Sequence, residues 1–304
     1  MIRKQNIGMV ALWMMGTLVS FCGLALSIRS LARIGLMDVL AVRAVVASLM
    51  MLAIAAVKPE LWQQLRPRKM AAQTLRSGVH LFAQYCWGIG IVVLPLATVF
   101  ALEFTNPIWV SLLAPVFLGE RLTSSRIVAA LLGFLGVLIV LRPGFEIVQS
   151  ASLFVLLAAL CFAAFSMITK KLTSTEPTFA IVFWMNLLQF PMALIASVLT
   201  EGANWHLPDL GMADIPAIFA LGVSGLSAHF CLTNAFQNGD ASVVLPFDFL
   251  RIPLIAVIDW LFYGKALDFL VFVGAAVIVA GVLWNIRMES KYRPPEPEPR
   301  PGAA

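Results

Sequence analysis

Residues 103–122, EFTNPIWVSLLAPVFLGERL, align with residues 248–267, DFLRIPLIAVIDWLFYGKAL, at a shift of 145 residues. The shift places Glu103 on Asp248, and the register continues through the following turn into the next apolar segment. Further matches in this register are Gly119 with Gly264, Leu122 with Leu267, Gly136 with Gly281, Val137 with Val282, Leu138 with Leu283 and, upstream, Cys86 with Cys231. Each copy holds five hydrophobic segments, and an odd number of spans forces the second copy to enter a membrane inverted relative to the first. The pattern therefore indicates inverted repeats, which are typical of carriers that work by alternating access.

The composition is that of a membrane protein. Hydrophobic residues make up 61% of the 304 residues, charged residues make up 12%, and the mean hydropathy is +0.92, far from soluble averages. Apolar stretches of about 17 to 25 residues can cross the hydrocarbon core as helices. Ten such spans are predicted, at residues 7–27, 37–57, 76–94, 96–118, 125–141, 151–169, 178–199, 214–236, 241–263 and 268–287. We therefore predict an all-α polytopic membrane protein whose ten transmembrane helices form two inverted five-helix repeats.

The repeats divide the chain into a first five-span unit over residues 1–145 and a second over residues 146–288. Residues 289–304 contain the run RPPEPEP at 293–299 and are predicted to form a disordered, Pro-rich cytoplasmic tail. All four cysteines fall in predicted spans, where they are typical of small apolar packing residues. Their spacing implies neither a disulfide framework nor a metal site, and no cofactor is predicted.

The distribution of Lys and Arg predicts the orientation in the membrane, because translocating these residues is disfavoured. With the N-terminus inside, 15 of them fall on the cytoplasmic side, and only Arg29, Arg33, Arg142 and Lys265 fall on the outer side. We therefore expect a multi-pass protein of the bacterial inner membrane with both termini in the cytoplasm. The net charge of +5 reflects this topology and gives no support to nucleic-acid binding.

A short motif links the repeats to a known family. Residues 117–122, FLGERL, are followed by LGFLGV at 132–137 and by RPG at 142–144. This pattern resembles the ten-span EamA branch of the drug/metabolite transporter superfamily, whose half-repeats end in a Gly-Glu-Arg-Leu turn and a Gly-rich span. The second repeat departs from the motif, because GKAL at 264–267 lacks a counterpart of Glu120. The glycines of the fifth and tenth spans favour close helix packing in lipid.

The resemblance implies a secondary carrier with a central cavity between two five-span halves. Members of the family include amino-acid exporters and importers of riboflavin or of S-adenosylmethionine. The expected partners are thus a small-molecule substrate and the lipid bilayer, with no nucleic acid. The sequence leaves open proton coupling and the choice between a monomer and a homodimer.

Four charged residues stand out inside predicted spans, where a charge at the bilayer centre costs at least about 2.5–3.5 kcal/mol and needs a partner or a watery cavity. Arg43 and Glu103 lie at similar depth and are predicted to pair. Asp248 and Arg251 are three residues apart on one helix face, so they are also expected to pair. Two positive and two negative charges sum to zero, which favours a neutral or zwitterionic solute over a dianion.

The sequence is consistent with two interpretations of these charges. The pairs are either architectural, as buried ion pairs often are, or they face the cavity and exchange partners with substrate or proton. Glu103 and Asp248 occupy matched repeat positions, near the pseudo-two-fold axis where carriers place their sites. That symmetry favours the functional interpretation.

Uncharged groups in the spans extend the candidate site. His229 is either a proton relay or a hydrogen-bonding partner of a neighbouring helix, and Asn234 is either interhelical or substrate-binding. Asn106 precedes Pro107, and Pro253 lies in the ninth span; each proline frees a backbone carbonyl about one turn back, which only protein or a cavity can satisfy. Aromatic rings could stack a planar solute, although each is also typical of packing. The candidate substrate-binding or coupling residues are Glu103, Asp248, Arg251, Arg43, Asn106, Asn234, His229, Trp87, Trp109 and Phe247.

These features predict a secondary active transporter that moves a small neutral or zwitterionic metabolite by alternating access, with a planar, cofactor-like compound such as riboflavin as the specific hypothesis. An exporter of amino acids, metabolites or drugs with the same fold is the alternative. An intramembrane enzyme is disfavoured, because the chain has neither a His-Glu-x-x-His motif nor a Gly-x-Ser-x-Gly motif. Buried charges of both signs fit a carrier better than an open channel lined by one sign. The chain also lacks a Walker-type phosphate loop, so a gradient rather than ATP would drive transport.

Overall fold

The computed structural model describes residues 5–31, 35–94, 96–142, 150–201, 211–264 and 269–291, and this part of the chain is helical without a strand. The helices are α1 (Ile7–Ser30), α2 (Leu36–Val57), α3 (Glu60–Gln64), α4 (Met70–Val93), α5 (Leu96–Glu103), α6 (Asn106–Leu118), α7 (Ser124–Leu141), α8 (Ser150–Leu172), α9 (Thr178–Glu201), α10 (Ile215–Asn238), α11 (Ala241–Val244), α12 (Arg251–Tyr263) and α13 (Phe269–Lys291). Two 3₁₀ turns, Met212–Asp214 and Leu245–Leu250, precede α10 and α12.

Within this part of the chain, nine segments are long and apolar enough to cross a membrane. The third predicted span, α4, is also of membrane length, but polar residues lower its hydropathy. Gln73, Arg76, Ser77 and His80 lie on one side of α4 and are buried against other helices, mainly α8 and α9. Because protein surrounds these side chains, they do not need to face lipid. The predicted all-α polytopic membrane fold is confirmed.

The fourth and ninth spans are each interrupted in the middle. The fourth consists of α5 and α6, separated at 104–105, and Pro107 lies in the first turn of α6. A proline is tolerated there because the first N–H groups of a helix have no intrahelical acceptor. The ninth span passes from α11 through the 3₁₀ turn Leu245–Leu250 into α12. The breaks occur about one turn before Pro107 and Pro253, as predicted from the sequence.

The packing of matched helices confirms the inversion. The second and seventh spans, α2 and α9, lie side by side: Asp38 contacts Ser197, and Arg43 contacts Gln189 five residues further along α2. From the first contact to the second, the residue number rises on α2 and falls on α9, so the two helices are antiparallel. Corresponding helices of the two repeats therefore run in opposite directions, as two inverted five-helix repeats require.

The remaining long helices obey the same symmetry. The first span packs on the eighth, and the sixth packs on the third, so that α1–α10 and α8–α4 are equivalent pairs. The fifth and tenth spans, α7 and α13, also cross antiparallel, and a Cβ atom on Gly136 would lie 2.7 Å from the carbonyl oxygen of Gly274. The glycines allow this close approach, as the sequence predicted.

The end of the tenth span differs from the predicted domain boundary. Helix α13 continues through Lys291 instead of ending at residue 288, and Glu289 is buried within it. The helix extends because Glu289 forms an ion pair with Arg126 of α7. The rest of the predicted tail, residues 292–304, lies outside the described residues.

Candidate functional site

A cluster of three charges lies where the two interrupted spans meet. We call Glu103, Asp248 and Arg251 the central ion cluster. The Nη2 atom of Arg251 donates to Oε1 of Glu103 at 2.8 Å and to Oδ2 of Asp248 at 3.2 Å. The indole N–H of Trp87 donates to Oε2 of Glu103 at 2.7 Å. One guanidinium thus joins a carboxylate from each repeat, at the positions that the sequence register had matched.

Aromatic rings enclose the guanidinium of Arg251. Its Cζ atom lies 4.8 Å from the ring centre of Phe104 and 5.3 Å from that of Phe21, both within the range of cation–π contacts. The Nε atom of Arg251 and Oδ1 of Asp248 are buried and have no hydrogen-bond partner among the residues that the structure describes. The cluster therefore holds one unused donor and one unused acceptor, which a solute could satisfy. Its formal charge is negative, because two carboxylates face one guanidinium.

The predicted pair of Arg43 with Glu103 is wrong. The guanidinium of Arg43 donates instead to Oε1 of Gln189 at 2.9 Å. The carboxylate of Glu103 accepts its hydrogen bonds from Arg251 and Trp87. The reason is geometric: α2 packs on α9 and α10, whereas the partners of Glu103 lie on α4 and α12. Equal depth in the membrane does not specify which side of a helix a residue occupies. Arg43 belongs to a second buried group.

This second group contains Arg43, Arg76, His80, Gln189 and His229, and we call it the arginine–histidine cluster. Nε2 of Gln189 lies 2.8 Å from Nδ1 of His80, and the rings of His80 and His229 are 5.1 Å apart. Both guanidinium groups lie within electrostatic range of both imidazoles. In the part of the chain that the structure describes, no carboxylate forms a hydrogen bond with either imidazole. A proton relay through His229 stays a prediction.

The sequence interpretation missed Arg76, which had been counted with the basic residues of the cytoplasmic side. Arg76 is fully buried: it donates to Oγ1 of Thr169 at 2.6 Å and to the carbonyl of Ile181 at 3.1 Å. A usable signal was present in the sequence. Residues 73, 76, 77, 80 and 84 are all polar, and their spacing of three and four places them on one helical face.

The other predicted site residues form no hydrogen bond with the central ion cluster within the described part of the chain. Phe247 is buried in an apolar core against which Trp109 packs. The Oδ1 atom of Asn106 is buried and has no partner in the described part of the chain, and Asn234 accepts a hydrogen bond from Thr178 at 3.1 Å. The structure thus brings together Glu103, Asp248, Arg251 and Trp87, and it places Phe247 and Trp109 in core packing.

A cavity of about 690 Å³ lies between α2, α3, α9 and α10. Lys58 and Gln64 lie at one end, and Leu226 and Asn234 contribute to its wall. Its lining includes no member of the central ion cluster, so the cavity and this cluster are separate in this conformation. Leu226, however, is adjacent in sequence to Gly225, which packs directly against the side chain of Arg43. Helix α10 thus borders the cavity at Leu226 and the arginine–histidine cluster at Gly225.

A third charged group ties helix ends together near the predicted cytoplasmic surface. Arg126 of α7 contacts Oε1 of Glu289 at 3.0 Å and Oδ2 of Asp240 at 2.9 Å. Glu120 accepts hydrogen bonds from the backbone N–H groups of Ala241 and Ser242 at 2.7 and 3.1 Å. We call Glu120, Arg126, Asp240 and Glu289 the Arg126 network. It fixes the start of α11 to α7 and α13.

Comparisons with known proteins agree with this architecture. The model of the EamA-like transporter family matches the chain twice, at residues 7–142 and 149–287. A riboflavin transporter of Rhizobium johnstonii is 34% identical over 205 residues, which cover 67% of this chain and 66% of that protein. A riboflavin transporter of Vibrio cholerae is 29% identical, covering 73% and 76% of the two chains, and an S-adenosylmethionine uptake transporter of Rickettsia bellii is 27% identical, covering 73% and 77%.

A solved crystal structure has the same fold. It superposes with a TM-score of 0.80 over 93% of this chain and 99% of the other, at 17% sequence identity. The likeness concerns the arrangement of the helices.

Proposed function

This chain belongs to the EamA-like transporter family, and we propose from this premise that it carries a small neutral or zwitterionic metabolite across the bacterial inner membrane by alternating access. The family and the relatives identify a multi-pass membrane transporter of small molecules. Riboflavin is our specific candidate for the solute, and uptake is the candidate direction. The names of two relatives support this choice, as do the aromatic rings around the central ion cluster.

The central ion cluster is the observation that carries the proposal. It lies at interrupted helices, one from each inverted repeat, which is where carriers of this architecture build their sites. Arg251 donates hydrogen bonds to both Glu103 and Asp248. A solute that binds one of these carboxylates would replace Arg251 there and leave the guanidinium bonded to the other carboxylate. Such an exchange changes which repeat holds Arg251 most tightly, and so alters the contact between the two repeats. Binding of the solute would thereby shift the equilibrium between two conformations.

Orientation is part of the proposal. With both termini in the cytoplasm, the end of the 690 Å³ cavity marked by Lys58 faces the cytoplasm. A solute would then pass between this cavity and the central ion cluster during the transport cycle. A proton gradient or the membrane potential would drive net movement.

The first test is uptake of labelled riboflavin and of a panel of amino acids by a transport-deficient bacterium that expresses the chain, with and without a proton uncoupler. Saturable riboflavin uptake would support the proposal, and its loss with the uncoupler would indicate a proton gradient as the driving force. Absence of riboflavin uptake, together with faster loss of preloaded amino acids, would favour an exporter.

Variants of the carboxylates connect the transport to the site. We expect Glu103→Gln and Asp248→Asn to abolish uptake while the protein still inserts and purifies. Asp38→Asn is a matched control, because Asp38 is a buried carboxylate that accepts a hydrogen bond from Ser197 away from the cluster. Normal uptake by both cluster variants would assign the cluster an architectural role.

A further inference from the structure

Two buried arginines lack a negatively charged partner. Arg43 is 1% exposed and Arg76 is 0% exposed. Within the described residues, neither forms an ion pair with a carboxylate, and Nε and Nη1 of Arg43 and Nη2 of Arg76 have no hydrogen-bond partner. The other two interior arginines differ, because Arg126 and Arg251 each contact at least two carboxylates. The described residues thus provide carboxylates for Arg126 and Arg251 and none for Arg43 and Arg76.

This imbalance calls for an anion from outside the chain. A guanidinium stays protonated in proteins, so it cannot lose its charge as a buried lysine can. A charge inside the membrane is tolerated when it meets a counter-charge or water. The groups around Arg43 and Arg76 are neutral acceptors: the amide of Gln189, the hydroxyl of Thr169 and the carbonyl of Ile181. These acceptors hold the two side chains in place while leaving three N–H-bearing atoms unused.

The neighbours shape the site further. A Cβ atom on Gly225 would lie only 2.9 Å from Cδ of Arg43. The side chain of Arg43 can adopt this position because residue 225 is a glycine. The ring of Phe165 contacts both the guanidinium of Arg76, at 4.7 Å, and the imidazole of His80, at 4.1 Å. Among the described residues, the buried Nδ1 atom of His229 also has no partner. The group is therefore buried and positively charged, and its guanidinium groups keep unused donors.

We propose that Arg43 and Arg76 form a subsite for an oxyanion, the carboxylate or phosphate of the transported solute. The inference rests on the proposed function and narrows it. Phe21 lies between the two clusters, 6.0 Å from the ring centre of His229 and 5.3 Å from Cζ of Arg251. A solute on this ring could place its anionic end at the arginines and a cationic or donor group at Asp248. Such a solute is a zwitterion, so this inference selects the zwitterionic class within the proposed function and disfavours riboflavin, which is neutral.

A substitution that supplies the missing anion gives the sharpest test. In Gln189→Glu, a carboxylate replaces the amide oxygen that already lies 2.9 Å from Arg43. We expect this variant to have a higher thermal unfolding midpoint than the wild type in detergent. Asn186→Asp is the matched control, since Asn186 lies one turn away on α9, is equally buried at 1% exposure, and bonds only to the carbonyl of Val182. This control should unfold at a lower temperature.

The second measurement uses simple anions on the purified full chain. At matched ionic strength, sodium acetate and sodium phosphate should each be compared with sodium chloride for their effect on the unfolding midpoint. A ligand that binds only the folded state raises the midpoint in a saturable way. We expect this rise in the wild type and in Asn186→Asp, its loss in Gln189→Glu, and an apparent affinity about tenfold weaker or more in Arg43→Gln. A response to acetate alone indicates a carboxylate, and a response to phosphate alone indicates a phosphate.

Two outcomes would overturn the inference: an equal destabilisation by Gln189→Glu and Asn186→Asp, or an anion response that is unchanged in Gln189→Glu. Either would assign Arg43 and Arg76 a purely architectural role. The failure of the carrier proposal is distinguishable, because anion binding by the purified chain does not require transport. Anion-dependent stabilisation without uptake of any solute in cells would retain the subsite and reject the proposed transport.

Discussion

At the scale of single residues, the decisive feature is one guanidinium shared by two carboxylates. The Nη2 atom of Arg251 donates to both Glu103 and Asp248, and the guanidinium carbon lies 4.8 Å from the ring centre of Phe104. Lysine provides a point charge and no planar group that can stack on an aromatic ring. The contacts with Phe104 and Phe21 therefore favour arginine over lysine at this position.

We accordingly expect Arg251→Lys to insert normally and to transport at a rate about tenfold lower, since a desolvated cation–π contact is worth about 2 kcal/mol and lysine cannot stack flat on Phe104. Uptake should be measured beside the amount of protein in the membrane. Full activity of the lysine variant would mean that charge alone suffices and that the planar guanidinium is not needed.

Arg126 offers a contrasting residue-scale prediction about stability. Its side chain is buried between Glu289 and Asp240, and removal of one partner of a buried pair commonly costs about 3–5 kcal/mol. We expect Arg126→Gln to lower the free energy of unfolding by about that amount. Denaturant unfolding in detergent would measure it, with exposed Lys171→Gln as the control that should stay within about 0.5 kcal/mol.

At the scale of helices, the crossing of α7 and α13 depends on small residues. A Cβ atom on Gly136 would lie 2.7 Å from the backbone carbonyl oxygen of Gly274. A larger side chain at residue 136 would therefore force the two helices apart. We expect Gly136→Leu to destabilise the protein by at least about 1–3 kcal/mol through overpacking. Gly78→Ala is the control, because a Cβ atom there meets nothing within 4 Å. Its effect should stay within about 1 kcal/mol in the same unfolding measurement.

The number and inversion of the helices were predictable, but the partners of their polar side chains were not. Spans follow from the length of apolar runs, and the breaks of the fourth and ninth spans follow from Pro107 and Pro253. The position of Arg43 along α2 fixes its depth, yet its true partner, Gln189, depends on which side of α2 meets α9. The pair of Arg126 with Glu289 joins residues 163 positions apart, a separation over which no local pattern operates.

At the scale of the whole molecule, orientation is open to direct measurement. Ser174 lies between α8 and α9 on the predicted cytoplasmic side, and Met212 lies before α10 on the predicted outer side, where it is 87% exposed. We expect a membrane-impermeant thiol reagent to label Met212→Cys in intact cells and Ser174→Cys only after the membrane is opened. Unsubstituted protein provides the background from its four native cysteines. The opposite labelling pattern would reverse the proposed topology.

The pairing of α4 with α8 has a consequence for biosynthesis. Helix α4 is the polar-faced span, and the surface that covers Arg76 is supplied in part by Thr169 and Ile181 of the second repeat. The ribosome completes the first repeat before that surface exists. We therefore expect α4 to stay in contact with the insertion machinery until α8 and α9 have been synthesised and inserted. A fragment that ends at residue 145 should therefore remain bound to an insertase or be degraded, and co-expression of residues 146–304 should rescue it.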